Sequence, residues 1–538
     1  MHTLSPQEPT APLADVKRRF PIRDYCILSA AALVISCSAL IFYFRHSAIL
    51  LHGDAVAHTN IARHVFDSRT PGILEFGTAW LPLPHLLAMP FVVNDWMWRS
   101  GLGASMPSMI AYVAGILGIF RLVRGIVSRP AAWFSALVYA LNPNLIYMQT
   151  TAMTEPLYLA FFIWAVVHFS EFVQTARTDP QRAAKSLQFS AIMISAAMLV
   201  RYDGWFLAAC TTLALIVTLW GLKPRGVLDK AIRRSAVHFV LLPAMTACLW
   251  LAYNHGAYGR ALEFATGPYS AHAIAERTRT SSFPTYPGEN APRTAALYFV
   301  KAARIIVGEG PIDSWLPGFA FAALLASLFF SRKHLPLALL WVPAIFYILT
   351  IAYGSVPVYF PEWWPHSYYN VRYGLQMLPA IAVFVALGYE FLARLIPPRV
   401  AASLVILLVV ASYISVWQKK PVSLREAEVN GAARMAFDTN LAAELEKLPA
   451  SATLMMYCGS HSGALQDAGI PFRRVLREGN HPDWEIGLSG PAKVADYVVA
   501  IPSDEVFLAV RLFPQDLSVV ATVDTPGGRK AFIYRSIH

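Results

Sequence analysis

The chain has 538 residues, 56% of them hydrophobic and 14% charged, with a formal net charge of +11. A soluble domain carries about 25% charged residues, so a deficit held over this length excludes an ordinary soluble enzyme and indicates a polytopic membrane protein. The basic residues fall in short clusters between apolar runs, which ties them to orientation in a bilayer rather than to nucleic acid. The five cysteines are scattered and form neither a disulfide framework nor a CxxC metal site.

The first apolar run, residues 26 to 44, follows VKRRFPIRD and has no small-residue cleavage site, so it reads as a retained signal anchor. Further runs lie near 104–121, 131–149, 155–173, 187–200, 203–220, 236–254, 314–331, 335–353, 373–393 and 400–417. Each approaches the roughly 20 residues that a helix needs to cross the hydrocarbon core, giving about eleven spans. Lys17, Arg18, Arg19 and Arg23 place the amino terminus in the cytoplasm, and every later connection on that side is then basic. The run TAWLPLPHLLAMPFVVNDWMW, residues 78–98, would invert this pattern if it crossed, so it is expected to be re-entrant or interfacial. The outer face then receives 45–103, 150–155, 201–203, 255–313, 354–371 and the tail from 418.

The expected organisation is a cytoplasmic segment 1–25, a transmembrane domain 26–417 and an extracytoplasmic domain 418–538. In the last, the β-rich runs ATLMMYC, ADYVVAI, LSVVATVD and KAFIYRS follow a helical stretch near 431–447, predicting a small α/β module without a catalytic signature. No internal repeat is visible. The fold class is therefore an α-helical polytopic membrane protein with a small C-terminal α/β domain.

Chemistry-bearing residues gather on the outer face. In HGDAVAHTNIARHV, Asp54 either caps a helix or, sharing a helix face with His58, faces a cavity where a carboxylate takes a hydroxyl proton or holds a divalent cation. His52, His58 and His64 lack the spacing of a zinc motif, and Arg63 with Asp67 suits a solvated pair. Glu155 opens a span directly before Pro156, where it complements the helix dipole; a charge there also needs water or a partner. Arg201 and Asp203 sit in the tight hairpin RYDGW and suit a mutual ion pair. Arg372, next to Tyr373 at the outer entrance of a span, either snorkels to the interface or offers its planar fork to a phosphate. Segment 255–313 shows no obvious secondary structure, a length often associated with function or mobility.

These stretches, in order GDAVAHTNIAR, WLPLPH, TEPLYLAFF, RYDGW and VRYGLQMLPAIAVF, resemble the GT-C superfamily of membrane glycosyltransferases across about residues 20–417. The likeness is to the bacterial branch of protein O-mannosyltransferases and aminoarabinose transferases. It implies a sugar donor on a polyprenyl phosphate and inverting transfer at the outer face of a bacterial-type inner membrane, to a protein, glycolipid or polysaccharide acceptor. It implies Asp54 and Glu155 as catalytic carboxylates, the pair that would also hold a divalent metal if one is used. It makes His58, Arg201, Asp203, Arg372 and Tyr373 substrate-binding candidates. PEWWPHS has no aspartate after its tryptophans, so the sequence lacks the WWD motif of oligosaccharyltransferases. The alternative is a secondary transporter or lipid flippase. The absence of repeated halves, with charges at span ends on one face, favours surface chemistry.

Overall fold

The computed structural model describes residues 22–222, 229–281, 285–330, 332–459, 461–502, 504–525 and 528–537. Among them, nine helices are long and apolar enough to cross a membrane, and they coincide with nine of the eleven expected runs. The run near 131–149 breaks into Arg129–Ala140 and Pro143–Met148, because a proline cannot continue a helix through its own ring. Asn142 caps the second piece, accepting from the Leu145 amide at 3.0 Å. The run near 187–200 belongs to Pro180–Met198, a 19-residue helix whose first turns carry Gln181, Arg182, Lys185 and Gln188.

The first helix, Ile22–Arg45, is 24 residues long and so spans about 36 Å. At its start Asp24 is buried and pairs with Arg129 at 2.5 Å. Its other end leads into a loop built of three short helices, Gly53–His64, Leu83–Val92 and Asp95–Arg99. Leu83–Val92 has 10 residues, half the length of a span, which fits a segment that does not cross.

Segment 255–313 departs from the unstructured loop expected of it. The helix Lys230–Tyr258 runs on past the apolar stretch, and Glu263–Thr266, Ala271–Thr278 and Pro292–Ile305 follow. In the last, Ala295, Tyr298, Phe299, Ala302 and Ile305 are buried, the three-and-four spacing of one helix face.

The tail begins with a helix, Val422–Leu445, close behind the last span, Pro398–Gln418. Five strands follow: β1 Leu454–Met456, β2 Val475–Leu476, β3 Tyr497–Ala500, β4 Leu517–Asp524 and β5 Lys530–Ser536. Their order is β2-β1-β3-β5-β4, with β1 parallel to both neighbours and β5 antiparallel to both of its own. The alternating apolar runs forecast four of these strands; β2 has two residues and leaves no pattern.

The tail helix lies on the membrane domain. The Ser423 amide and hydroxyl donate to the Asn144 side-chain oxygen at 3.0 and 2.9 Å. Arg434 donates to the Leu50 and Leu51 carbonyls at 2.7 and 3.2 Å. The sheet module also reaches the first loop, through Arg473 to Asp67 at 3.0 Å and Asn480 to Thr70 at 3.0 Å. The approach of the tail helix depends on Gly431, where an added Cβ would lie 1.9 Å from the Leu51 carbonyl oxygen.

Gly431→Ala therefore forces two backbones apart and should destabilise the protein by about 1–3 kcal/mol, as overpacking does. Gly318→Ala, mid-helix with nothing within 4 Å, should be neutral or gain up to ~1 kcal/mol. Unfolding midpoints in detergent measure both; equal midpoints would show that the helix is not seated at this distance.

Candidate functional site

A cavity of about 2000 Å³ opens between the first loop, the adjoining span ends, the 255–313 segment and the tail. All seven sequence-predicted site residues line it: Asp54, His58, Glu155, Arg201, Asp203, Arg372 and Tyr373.

At its floor Arg372 is 7% exposed and each guanidinium nitrogen meets a different carboxylate. Nη2 donates to Asp54 at 2.7 Å, Nε to Glu155 at 3.3 Å, and Nη1 to Glu426. Glu426 also receives the Arg372 amide at 3.0 Å and the Asn370 amide at 2.9 Å. It therefore fixes both the side chain and the turn Val371–Met377 that carries it. Arg372 is thus a buried hub rather than a residue snorkelling to the interface.

Arg201 pairs with Asp203 at 3.2 Å, as its hairpin suggests, and extends further. It also donates to Glu155 at 3.2 Å, the Thr154 hydroxyl at 2.9 Å and the Tyr347 hydroxyl at 3.0 Å. The Tyr373 ring lies between the two guanidiniums, 5.2 Å from Arg372 and 5.1 Å from Arg201. Both cations thus draw on the same electron-rich ring, and on the same Glu155 oxygen.

Glu155 is wholly buried at the first position of the helix Glu155–Thr175. Its Oε1 receives both arginines, while Oε2 has no hydrogen-bond partner. Asp54 differs, because its side chain is 43% exposed and faces the cavity. It does not cap its helix: the N-cap is His52, without a side-chain bond, and Asp54 lies in the first turn with its carboxylate on Arg372.

The other first-loop expectations change. Arg63 and Asp67 are 5% and 2% exposed, a buried pair rather than a solvated one. Arg63 also donates to the Val92 and Val93 carbonyls at 2.9 and 3.0 Å and stacks 4.7 Å over Trp98. His52, His58 and His64 do not converge. His58 shares a 2.9 Å bond with His85, and the His64 ring meets the Phe472 edge at 4.0 Å. Among the described residues no three His, Cys, Asp or Glu side chains form a metal-holding group. Between Asp54 and Glu155, the candidate pair for a divalent ion, stands the Arg372 guanidinium.

Burial pushes His52 and His58 down to about 3, so both rings are neutral at physiological pH. At the rim burial raises the Glu478 carboxyl.

Sequence reasoning missed Glu426, Tyr347 and His85. Tyr347 sits mid-span, where an aromatic residue is ordinary, and Glu426 lies in LREAEV, which reads as a solvated helix face. One signal was available: the tail helix follows the last span too closely to leave the membrane surface.

The family model described as dolichyl-phosphate-mannose-protein mannosyltransferase matches residues 97–250, which hold Glu155, Arg201 and Asp203 but neither Asp54 nor Arg372. No curated protein matches the sequence. Among solved structures, the chain is similar to ArnT from Cupriavidus metallidurans bound to undecaprenyl phosphate, with a TM-score of 0.57 at 14% identity, covering 96% of this chain and 98% of that one. The apo state of the same protein gives 0.58 at 12% identity, with 95% and 98% covered. The oligosaccharyltransferase of Archaeoglobus fulgidus in complex with zinc and sulfate gives 0.50 at 13% identity, with 94% of this chain and 72% of that one covered. At these identities the likeness shows the fold alone: the chain is folded as the ArnT structures are.

Two outcomes follow from this geometry. Glu426→Gln leaves Arg372 one carboxylate short and should cost about 3 kcal/mol, the lower end for breaking a buried pair. An unfolding midpoint equal to that of the parent would refute the clamp. For His58 the folded state binds a proton far less readily than the unfolded chain, whose pKa is near 6.5. Its stabilisation is complete above pH 6.5 and is lost as pH falls toward 3, by up to ~1.4 kcal/mol per pH unit. His58→Gln should flatten the fall in stability between pH 6.5 and 4.5, and an unchanged slope would contradict it.

Proposed function

We propose that this protein transfers a sugar from a polyprenyl-phosphate donor to an acceptor hydroxyl at the outer face of a bacterial-type inner membrane, with inversion at the anomeric carbon. The observation that carries the proposal is the half-exposed Asp54 carboxylate, set into the cavity and tethered at 2.7 Å to a buried arginine. Undecaprenyl phosphate in the similar ArnT structure supports a lipid-phosphate donor. The basic clusters support a cytoplasmic amino terminus, which puts the cavity and the tail outside.

In this mechanism the acceptor oxygen attacks the anomeric carbon while Asp54 takes its proton, and the bond from that carbon to the phosphate oxygen breaks. The electron pair leaves with the phosphate. A hydroxyl is a poor nucleophile, so a positioned carboxylate contributes to the rate. The leaving phosphate gains charge that Arg372 and Arg201 are placed to stabilise. Each of Arg372's three guanidinium nitrogens already meets a carboxylate, so a phosphate that takes two of them side by side competes with a carboxylate. Asp54 is the exchangeable one, being exposed where Glu155 and Glu426 are buried. Donor binding therefore frees the base. Glu155 and Glu426 keep the fork in place, and Tyr373 and Asp203 hold Arg201 beside it. A divalent ion is not needed for this scheme.

Asp54→Asn should lower turnover about 10²–10⁴-fold while donor binding persists, the range for loss of a general base. Purified protein with radiolabelled polyprenyl-phosphate sugars measures both. Unchanged turnover would remove Asp54 from this role.

A further inference from the structure

The cavity wall has a charge opposite to that of the whole chain. Ten carboxylates and four arginines line it, with no lysine, a formal excess of six negative charges in a protein of net charge +11. None of the four arginines is spare. Arg201 and Arg372 serve the floor carboxylates, Arg279 pairs with Glu289 at 2.5 Å, and Arg477 pairs with Glu75. The donor phosphate can take Asp54's place on Arg372. A second anion would find no counter-charge and would sit among carboxylates in a partly desolvated space, where like charges repel strongly.

An independent observation shows what the wall lacks. Glu155 is among the residues that line the cavity, and its buried Oε2 has no hydrogen-bond partner. A buried carboxylate oxygen without a hydrogen bond calls for a hydroxyl or amine from a ligand. Along the same cavity wall Tyr258, Tyr269 and Tyr369, 39%, 47% and 41% exposed, supply flat faces of the kind on which the C–H side of a sugar packs. The chemistry agrees. An acceptor phosphate is already anionic and needs no base, whereas a hydroxyl gives Asp54 its task.

We propose that the acceptor is an uncharged, hydroxyl-rich glycan, and that the acidic wall turns phosphorylated acceptors away. This rests on the transferase reading above and adds the acceptor's class to it. Carboxylates that accept from neighbouring hydroxyls, set among aromatic faces, fit a sugar better than a serine or threonine peptide, which presents one hydroxyl at a time.

The wall's charge can be read without turnover. In a Cys458→Ser background, which removes the cavity's own thiol, single cysteines are placed at Ala57 inside the cavity, at Ala275 near its rim, and at exposed Ser489 outside it. Each is treated with a trimethylammonium and a sulfonate methanethiosulfonate. The ratio of cationic to anionic modification rates should be at least tenfold higher at Ala57→Cys than at Ser489→Cys, with Ala275→Cys giving the same sign if Ala57→Cys does not fold. An equal or inverted ratio overturns the proposal. The full-length enzyme is then incubated with radiolabelled polyprenyl-phosphate sugar and envelope material separated into neutral glycan, phosphorylated glycolipid and protein. Label in the neutral glycan supports the proposal, and label in either other fraction overturns it. No label anywhere, with the charge ratio intact, defeats the transferase reading rather than the cavity's selectivity.

Discussion

One guanidinium holds three distant parts of the chain together. Arg372 draws Asp54 from the first loop, Glu155 from a span entrance and Glu426 from the tail helix onto a single planar fork. Burying one charge this deeply would be prohibitive alone, and burying Arg372, Glu155 and Glu426 together is tolerable only because each has a partner at bonding distance. The clamp is therefore both a tertiary lock and the floor of the cavity. Removing Arg372 would leave Glu426 without its cation.

Around that lock the architecture follows simple needs. Arg201 shares Glu155 with Arg372 and adds Asp203, and the Tyr373 ring lies within 5.2 Å of both guanidiniums. Tyr347 closes the Arg201 side with a 2.5 Å bond to Asp203, its ring stacked 5.2 Å from Phe299 on the amphipathic helix Pro292–Ile305. Polar groups thus run from the cavity into the bundle without meeting lipid. The opposite ends of the spans carry their own pairs, Asp24 with Arg129 and Arg121 with Glu171. The protein is chemically asymmetric across its thickness.

Most of the span pattern and the gathering of Asp54, Glu155, Arg201 and Arg372 on one face were legible, because bilayer thickness and charge placement act locally on sequence. What local pattern cannot express was missed. Glu426 looks solvated until the tail helix is folded back, and Arg63 with Asp67 looks like a surface pair until the sheet module covers it. The break at Asn142 and Pro143 was visible as residues but was outweighed by the apolar run around it. The buried face of Pro292–Ile305 had a readable period that the proline-rich approach to it concealed.

The lock also sets an order of assembly. Asp54 and Arg372 are 318 residues apart, and Arg372 then awaits Glu426, 54 residues later still. At about 5–20 residues per second of synthesis, the first loop is made many seconds before Arg372 and Glu426 exist. In that interval Asp54 lacks the arginine that will hold it. The cluster is therefore incomplete until residue 426 has been made, and a ribosome that stalls before the tail helix leaves a membrane protein with no completed centre.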